Sequence, residues 1–207
     1  MDQEHINQLV RNAQKGDKDA FHDLHQIFWR QIRYFIWKTL KNESEVEDVL
    51  QETFIEAYRH LSQLKDPSVF RPWLYKIALY QCNRVFRRKR PLIFSDMEES
   101  VVAAIPDETA EFLPLSVLEN KEAGALILKL VEQLPDEQRV TLTLFYFQQM
   151  TIAEIARVMD CPENTVKSRM RYAKRTLKTQ IEKEQQNGTL IYSLVFVLLA
   201  LMNLPPS

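Results

Sequence analysis

From Ile6 onward the apolar residues return every three or four positions, and the pattern breaks only where the chain carries turn chemistry. Such a repeat folds as packed helices. Ile6, Leu9, Val10 and Ala13 keep it up to Gly16-Asp17. Phe21, Leu24, Ile27, Phe28, Ile32, Phe35, Ile36 and Leu40 resume it and run to the polar break Asn42–Ser44. A third helix is predicted from about Glu45 to Leu64, ending before Lys65-Asp66-Pro67-Ser68, and a fourth from Phe70 to Arg90, stopped by Pro91. Three glycines in 207 residues point the same way, since a turn-rich β protein or a phosphate-cradling glycine loop needs more.

Beyond Pro91 the periodicity is lost, and Pro106, Pro114 and many carboxylates appear, which marks 92–118 as a linker. A helical pattern returns at Leu118 and breaks at Leu134-Pro135. It resumes over Asp136–Gln148, Ile152–Met159 and Glu163 to about Lys183. The expected fold is all-α: two small helical domains, 1–91 and 119–184, joined by a flexible acidic linker, with an apolar tail at 185–207. The second domain reads as a helix-turn-helix.

The net charge of −1 rules out a uniformly basic coat, but the charges fall in blocks. Asn42–Glu56 holds six carboxylates and no Lys or Arg; five of the seven residues Arg84–Arg90 are basic; Glu163–Lys183 holds seven bases against two acids. Alternating blocks suggest separate surfaces for separate partners. Cys82 and Cys161 lie far apart, so the reading is two reduced, buried thiols rather than a zinc site or a disulfide. Four scattered histidines, no nucleophile motif and no ligand spacing predict a non-enzyme with no catalytic residue, metal or cofactor. The polar, acidic start MDQEHINQLV predicts no secretory signal and a cytoplasmic protein.

Thr151 opens T-I-A-E, a capping box with Glu154. Ile155, Ala156 and Met159 would form the buried face of this short helix, Asp160-Cys161 the turn, and Pro162 the first position of the next helix. There Val166, Met170, Ala173 and Leu177 form the inward stripe, while Asn164, Lys167, Ser168, Arg171, Tyr172 and Arg175 face out. Amide, hydroxyl and guanidinium groups on one helix face suit the base edges of a major groove. A solvated basic helix would share the charge, but not the capped short helix, tight turn and proline start.

In the third helix, Val46, Leu50, Phe54, Ala57 and Leu61 belong to the core, and Asp48, Gln51, Glu52 and Ile55 face away. An exposed isoleucine among carboxylates has the composition of a protein-docking surface; a solvated face with one stray apolar residue would look the same. The fourth helix interleaves rings and cations: Phe70, Arg71, Trp73, Tyr75, Lys76, Tyr80, Arg84, Phe86, Arg87, Arg88. Rings stack on unpaired bases while cations follow the phosphates. Some of these rings must be core, with Trp73 or Phe86 the first candidates.

Taken together, DVLQETFIEAYRHL, FRPWLYKIA ending in FRRKR, LPDEQR and TIAEIARVMDCPENTVKSRMRYAKRTL resemble the extracytoplasmic-function (ECF) sigma factors of bacterial RNA polymerase, over about residues 5–90 and 119–183. The resemblance implies that the first domain binds the polymerase clamp and melts and reads the −10 element, while the second reads the −35 element as duplex. It assigns Asp48, Gln51, Glu52 and Ile55 to polymerase. Phe70, Arg71, Trp73, Lys76, Tyr80, Arg84, Arg87 and Arg88 go to the melted −10 strand. Asn164, Lys167, Ser168, Arg171, Tyr172 and Arg175 go to the −35 element. The implied partners are core RNA polymerase, promoter DNA and an anti-sigma factor, soluble or membrane-bound.

Leu190–Met202 is thirteen residues long and apolar apart from Ser193. As a helix it would measure about 20 Å, short of the roughly 30 Å hydrocarbon core. Packing against the chain or a partner, peripheral membrane contact and spanning are the alternatives, and the length disfavours the last. Membrane association while the factor is held inactive is the corresponding expectation.

Overall fold

The computed structural model describes residues 3–89 and 129–186, and these fall into two compact helical units. Among the described residues every regular element is a helix or a helical turn. The linker 92–118, Arg90 and the apolar stretch 190–202 lie outside them, as does the expected helix start at Leu118.

Four helices build the first unit: α1 (Gln3–Gln14), α2 (Lys18–Leu40), α3 (Val46–His60) and α4 (Phe70–Lys89). The joints follow from their turn residues. Gly16 takes φ +95°, and Asp17 then accepts from the N–H groups of Asp19 and Ala20 to start α2. Asn42 and Asp66 cap the short 3₁₀ turns Glu43–Glu45 and Pro67–Val69 that lead into α3 and α4. The expected third helix is thus shorter, Val46–His60, followed by a tighter turn Leu61–Gln63.

The core forms where the predicted faces meet. Leu24, Ile32, Phe35 and Ile36 of α2 are fully buried, as are Ala57 of α3 and Leu74, Tyr75, Ala78 and Cys82 of α4. Phe28 packs edge-on to Phe70 with centroids 5.5 Å apart, and Phe35 on Tyr75 at 5.1 Å. The buried hydroxyls of Thr39 and Thr53 are satisfied within their own helices, donating to the carbonyls of Phe35 and Val49, both at 2.7 Å. The Gln14 side-chain amide donates to the carbonyls of Leu61 (2.9 Å) and Leu64 (2.7 Å), tying α1 to the end of the α3 segment.

The second unit opens with helical residues 129–132, then α5 (Asp136–Leu142), α6 (Ile152–Met159) and α7 (Glu163–Gln186). The expected helix Asp136–Gln148 stays α-helical only to Leu142. Over Thr143–Phe147 it widens by one residue, with the Gln148 N–H reaching back five positions to the Thr143 carbonyl (3.1 Å). Arg139 is 1 % exposed, and its guanidinium bonds the Leu134 carbonyl (3.2 Å) and pairs with Asp136 (2.8 Å). Arg169 of α7 pairs with Glu137 of α5 at 2.7 Å. One thiol departs from expectation. Cys82 is buried, and burial raises its pKa to about 12, but Cys161 sits half-exposed in the turn before α7, 3.4 Å from the Arg169 guanidinium.

Candidate functional site

On α3, Asp48, Gln51, Glu52 and Ile55 follow one another at spacings of three, one and three and form a single ridge. Asp48 and Gln51 are exposed; Glu52 and Ile55 are half-buried, so the isoleucine is not the open apolar tip expected. The reason is that Ile55 and Gln51 form one wall of an apolar groove of about 630 Å³, completed by Phe21, His25 and Trp29 of α2 and by Tyr58 of α3. Burial, with the charge of nearby His22 second, lowers the pKa of His25. On the other side of the ridge Asp48 and Glu52 join Glu45 in a cleft of about 300 Å³ whose far wall is Gln81, Arg84 and Arg88 of α4.

The ring-and-cation helix α4 divides in a way its composition does not announce. Phe70, Leu74, Ala78 and Cys82 recur every fourth residue and are buried. Phe70 is 1 % exposed, wedged between Phe28 and Trp73, so it cannot stack on a base without leaving the core. The core rings are therefore Phe70 and Tyr75, while Trp73 and Phe86 are half-buried. Arg71 is half-buried and hydrogen-bonds Tyr75, whose hydroxyl burial pushes well above its usual pKa. Trp73, Lys76, Tyr80 and Arg87 share one face, with Tyr80 57 % exposed. Asn83 stands exposed between Tyr80 and Arg87, a position the composition gave no reason to select. Arg84, bonded to Gln81 at 2.9 Å, and Arg88 instead look across at the carboxylates of α3.

In the second unit the capping box is formed: Thr151 Oγ1 accepts from the Glu154 N–H (3.2 Å), and Glu154 Oε2 accepts from the Thr151 N–H (2.8 Å). The buried stripe of α6 is Ile152, Ile155 and Val158; Ala156 and Met159 are half-buried, because the stripe runs at spacings of three from the first helical residue. Asp160 takes the left-handed conformation (φ 51°), and the Cys161 N–H closes on the Ala156 carbonyl at 3.1 Å, a six-residue Schellman closure. Pro162 stands one position before the expected one. Its carbonyl accepts from Thr165 and Val166, so it caps α7 rather than opening it.

Val166, Met170, Ala173 and Leu177 are buried as expected, joined by Ile181. Asn164, Lys167, Arg171, Tyr172 and Arg175 are exposed and Ser168 is half-buried. The Arg171 guanidinium lies 5.9 Å from the Tyr172 ring centroid. Except for Tyr172 these residues line a groove of about 730 Å³ with Phe145, Ile152 and Met170, and two further cations, Lys174 and Lys178, extend it. Burial lowers the pKa of Lys174. No cluster of His, Cys, Asp or Glu among the described residues could hold a metal ion, and no described helix is long and apolar enough to cross a membrane.

Two family models match: Sigma-70 region 2 over residues 24–91 and Sigma-70 region 4 over 125–177. The chain is 34% identical over 193 residues to the RNA polymerase sigma-H factor of Pseudomonas aeruginosa, covering 87% of this chain and 95% of that one. It is 30% identical over 184 residues to the ECF RNA polymerase sigma-E factor of Escherichia coli K12, covering 84% and 93%. The fold is also that of CnrH solved with the cytosolic domain of CnrY (TM-score 0.64, 20% identity, 87% of this chain and 99% of that one). The sigma factor RpoE of Bartonella quintana, solved with the anti-sigma factor NepR, matches with TM-score 0.58 and 16% identity over 78% of this chain and 96% of that one. Helical units, motif order and relatives converge: the chain belongs to the sigma-70 family of RNA polymerase sigma factors, in its ECF group.

Proposed function

We propose that this ECF sigma factor joins core RNA polymerase through the α3 ridge, holds the melted −10 strand on α4 and reads the −35 duplex with α7. Residues 1–91 then act as the region 2 module, 92–118 as linker and 119–184 as the region 4 module. The observation that carries this reading is the presence in one chain of two separate ring-and-cation faces, Trp73-Lys76-Tyr80-Arg87 and Lys167-Arg171-Tyr172-Arg175. The first suits stacking on extruded bases, where Tyr80 offers an open ring face and the cations take the phosphates. The second suits base edges, where Arg171 can take a guanine bidentately and Asn164 an adenine. Neither needs to bind tightly alone, because docking both on polymerase raises their effective concentration at one promoter. On the ridge, Asp48 and Gln51 offer acceptors and an amide beside the apolar groove under Ile55.

An anti-sigma factor that covers these faces would hold the protein inactive, as the pairing of Bartonella RpoE with NepR suggests. The apolar stretch 190–202 supports membrane association in that inactive state. The test is in vitro transcription on genomic fragments with core polymerase, with and without this chain. New, defined start sites that need both components support the proposal. Tight DNA binding by the chain alone with no start sites would make it an operator-binding regulator.

A further inference from the structure

We propose that Phe145 is a specificity-determining residue, the seat for the C5 methyl group of one thymine in the duplex that α7 reads. The inference rests on the reading of α7 as the −35 reader and adds to it a residue from outside that helix. The groove along α7 holds about 730 Å³, and its lining is of two kinds. Asn164, Lys167 and Arg171 are exposed and carry amide, ammonium and guanidinium groups. Phe145, Ile152 and Met170 supply the apolar part. Ile152 and Met170 are only 6 % and 7 % exposed, so the half-buried Phe145 ring offers the accessible apolar surface.

The widened turn places that ring. Over Thr143–Phe147 the helix takes in one extra residue, with Leu144 and Phe147 buried in the core and Phe145 and Tyr146 half-buried between them. Tyr146 meets Phe145 edge-on, with ring centroids 4.9 Å apart. A ring fixed by buried neighbours on both sides in sequence, and braced by a second ring, has little freedom left to lose when a ligand meets it.

Base edges in the major groove present acceptors, amino donors and one apolar substituent, the thymine methyl. The exposed polar groups of the groove can pair with the first two. Phe145 has neither donor nor acceptor, and a polar edge pressed against it would lose its water and gain no partner. A methyl group gains by leaving water, and its burial corresponds to about a fourfold preference for thymine over uracil.

The experiment uses core polymerase assembled with the full chain to select duplexes from a random-sequence pool. The upstream element so selected is remade with deoxyuridine at one thymidine at a time, an exchange that removes only the methyl. At one position the exchange should weaken binding about fourfold, read by competition against the all-thymine duplex. In Phe145→Ala that ratio should fall to about one, whereas Phe145→Leu, which keeps apolar bulk, should preserve it. Each ratio is taken within one variant, so a shortfall of folded protein cancels from it.

A methyl effect at no position, or one that survives Phe145→Ala unchanged, would overturn the proposal. Arg171→Ala tests the reading of α7 separately. If that variant loses base preference while no methyl matters, α7 reads the duplex and Phe145 does not. If no upstream element is selected, or Arg171→Ala leaves the selection unaltered, the reading of α7 fails and the proposal falls with it.

Discussion

Helices α4 and α7 carry the same ingredients, rings and cations in a helical repeat, and use them in opposite ways. In α7 the buried and exposed residues separate along two clean stripes, and its one exposed ring, Tyr172, sits among the cations. In α4 the rings are split, with Phe70 and Tyr75 in the core and Tyr80 on the surface, and the cations are split between an open face and an acid-lined cleft. The difference comes from packing. In the core of the first unit α4 packs against both α2 and α3, so ring content no longer marks a surface. A helix that meets its unit along one buried stripe keeps its composition legible; one packed against several neighbours does not.

The sharpest way to break this contrast is Phe70→Ala. Truncating a ring that is 1 % exposed should cost about 3–5 kcal/mol, read as a lowered urea midpoint of unfolding of the first unit. Were Phe70 a base-stacking residue on a mobile surface, stability would hardly change. Tyr80→Ala tests the opposite side of the same helix. It should leave that midpoint within about 0.5 kcal/mol while weakening capture of the melted strand by about 1–3 kcal/mol, followed as open-complex formation by the assembled polymerase.

On α7, Arg171→Ala should cost about 1–3 kcal/mol of duplex affinity and relax the base preference at one position, measured by anisotropy on a duplex bearing the recovered −35 element. Thr151→Ala removes the capping box and should lower the stability of the second unit by about 1 kcal/mol, seen by thermal unfolding. The smallest effect concerns pH. His25 has a lowered folded-state pKa, so the stabilisation it allows is present above the unfolded value of 6.5 and is lost as pH falls through 6.5 toward the folded value. The urea midpoint of the first unit should drop over that window, and His25→Gln should flatten the drop.

Much of this architecture was legible from residues alone. The stops at Gly16-Asp17, Asn42–Ser44 and Asp66-Pro67 are local chemistry, and each works as a cap or turn where it was expected. The capping box and the Val166–Leu177 stripe are equally local. What was not legible depends on partners distant in sequence. The groove between α2 and α3 exists because Phe21, His25 and Trp29 meet Ile55 and Tyr58, and neither helix records the other's register. Arg139 reads as a surface residue and is buried because Asp136 and the Leu134 carbonyl satisfy it. The widened turn at Thr143–Phe147 has no mark in the sequence, since nothing in TLFYF distinguishes a reach of five from one of four.

The Gln14 amide has a consequence for how the chain is born. Its two acceptors, the carbonyls of Leu61 and Leu64, lie 47 and 50 residues further along. During synthesis α1 therefore emerges from the ribosome well ahead of the backbone that fastens its end. At roughly 5–20 residues per second that wait lasts on the order of several seconds. Through that interval part of the apolar side of α1, Ile6, Leu9 and Val10, stays available to chaperones or to neighbouring nascent chains.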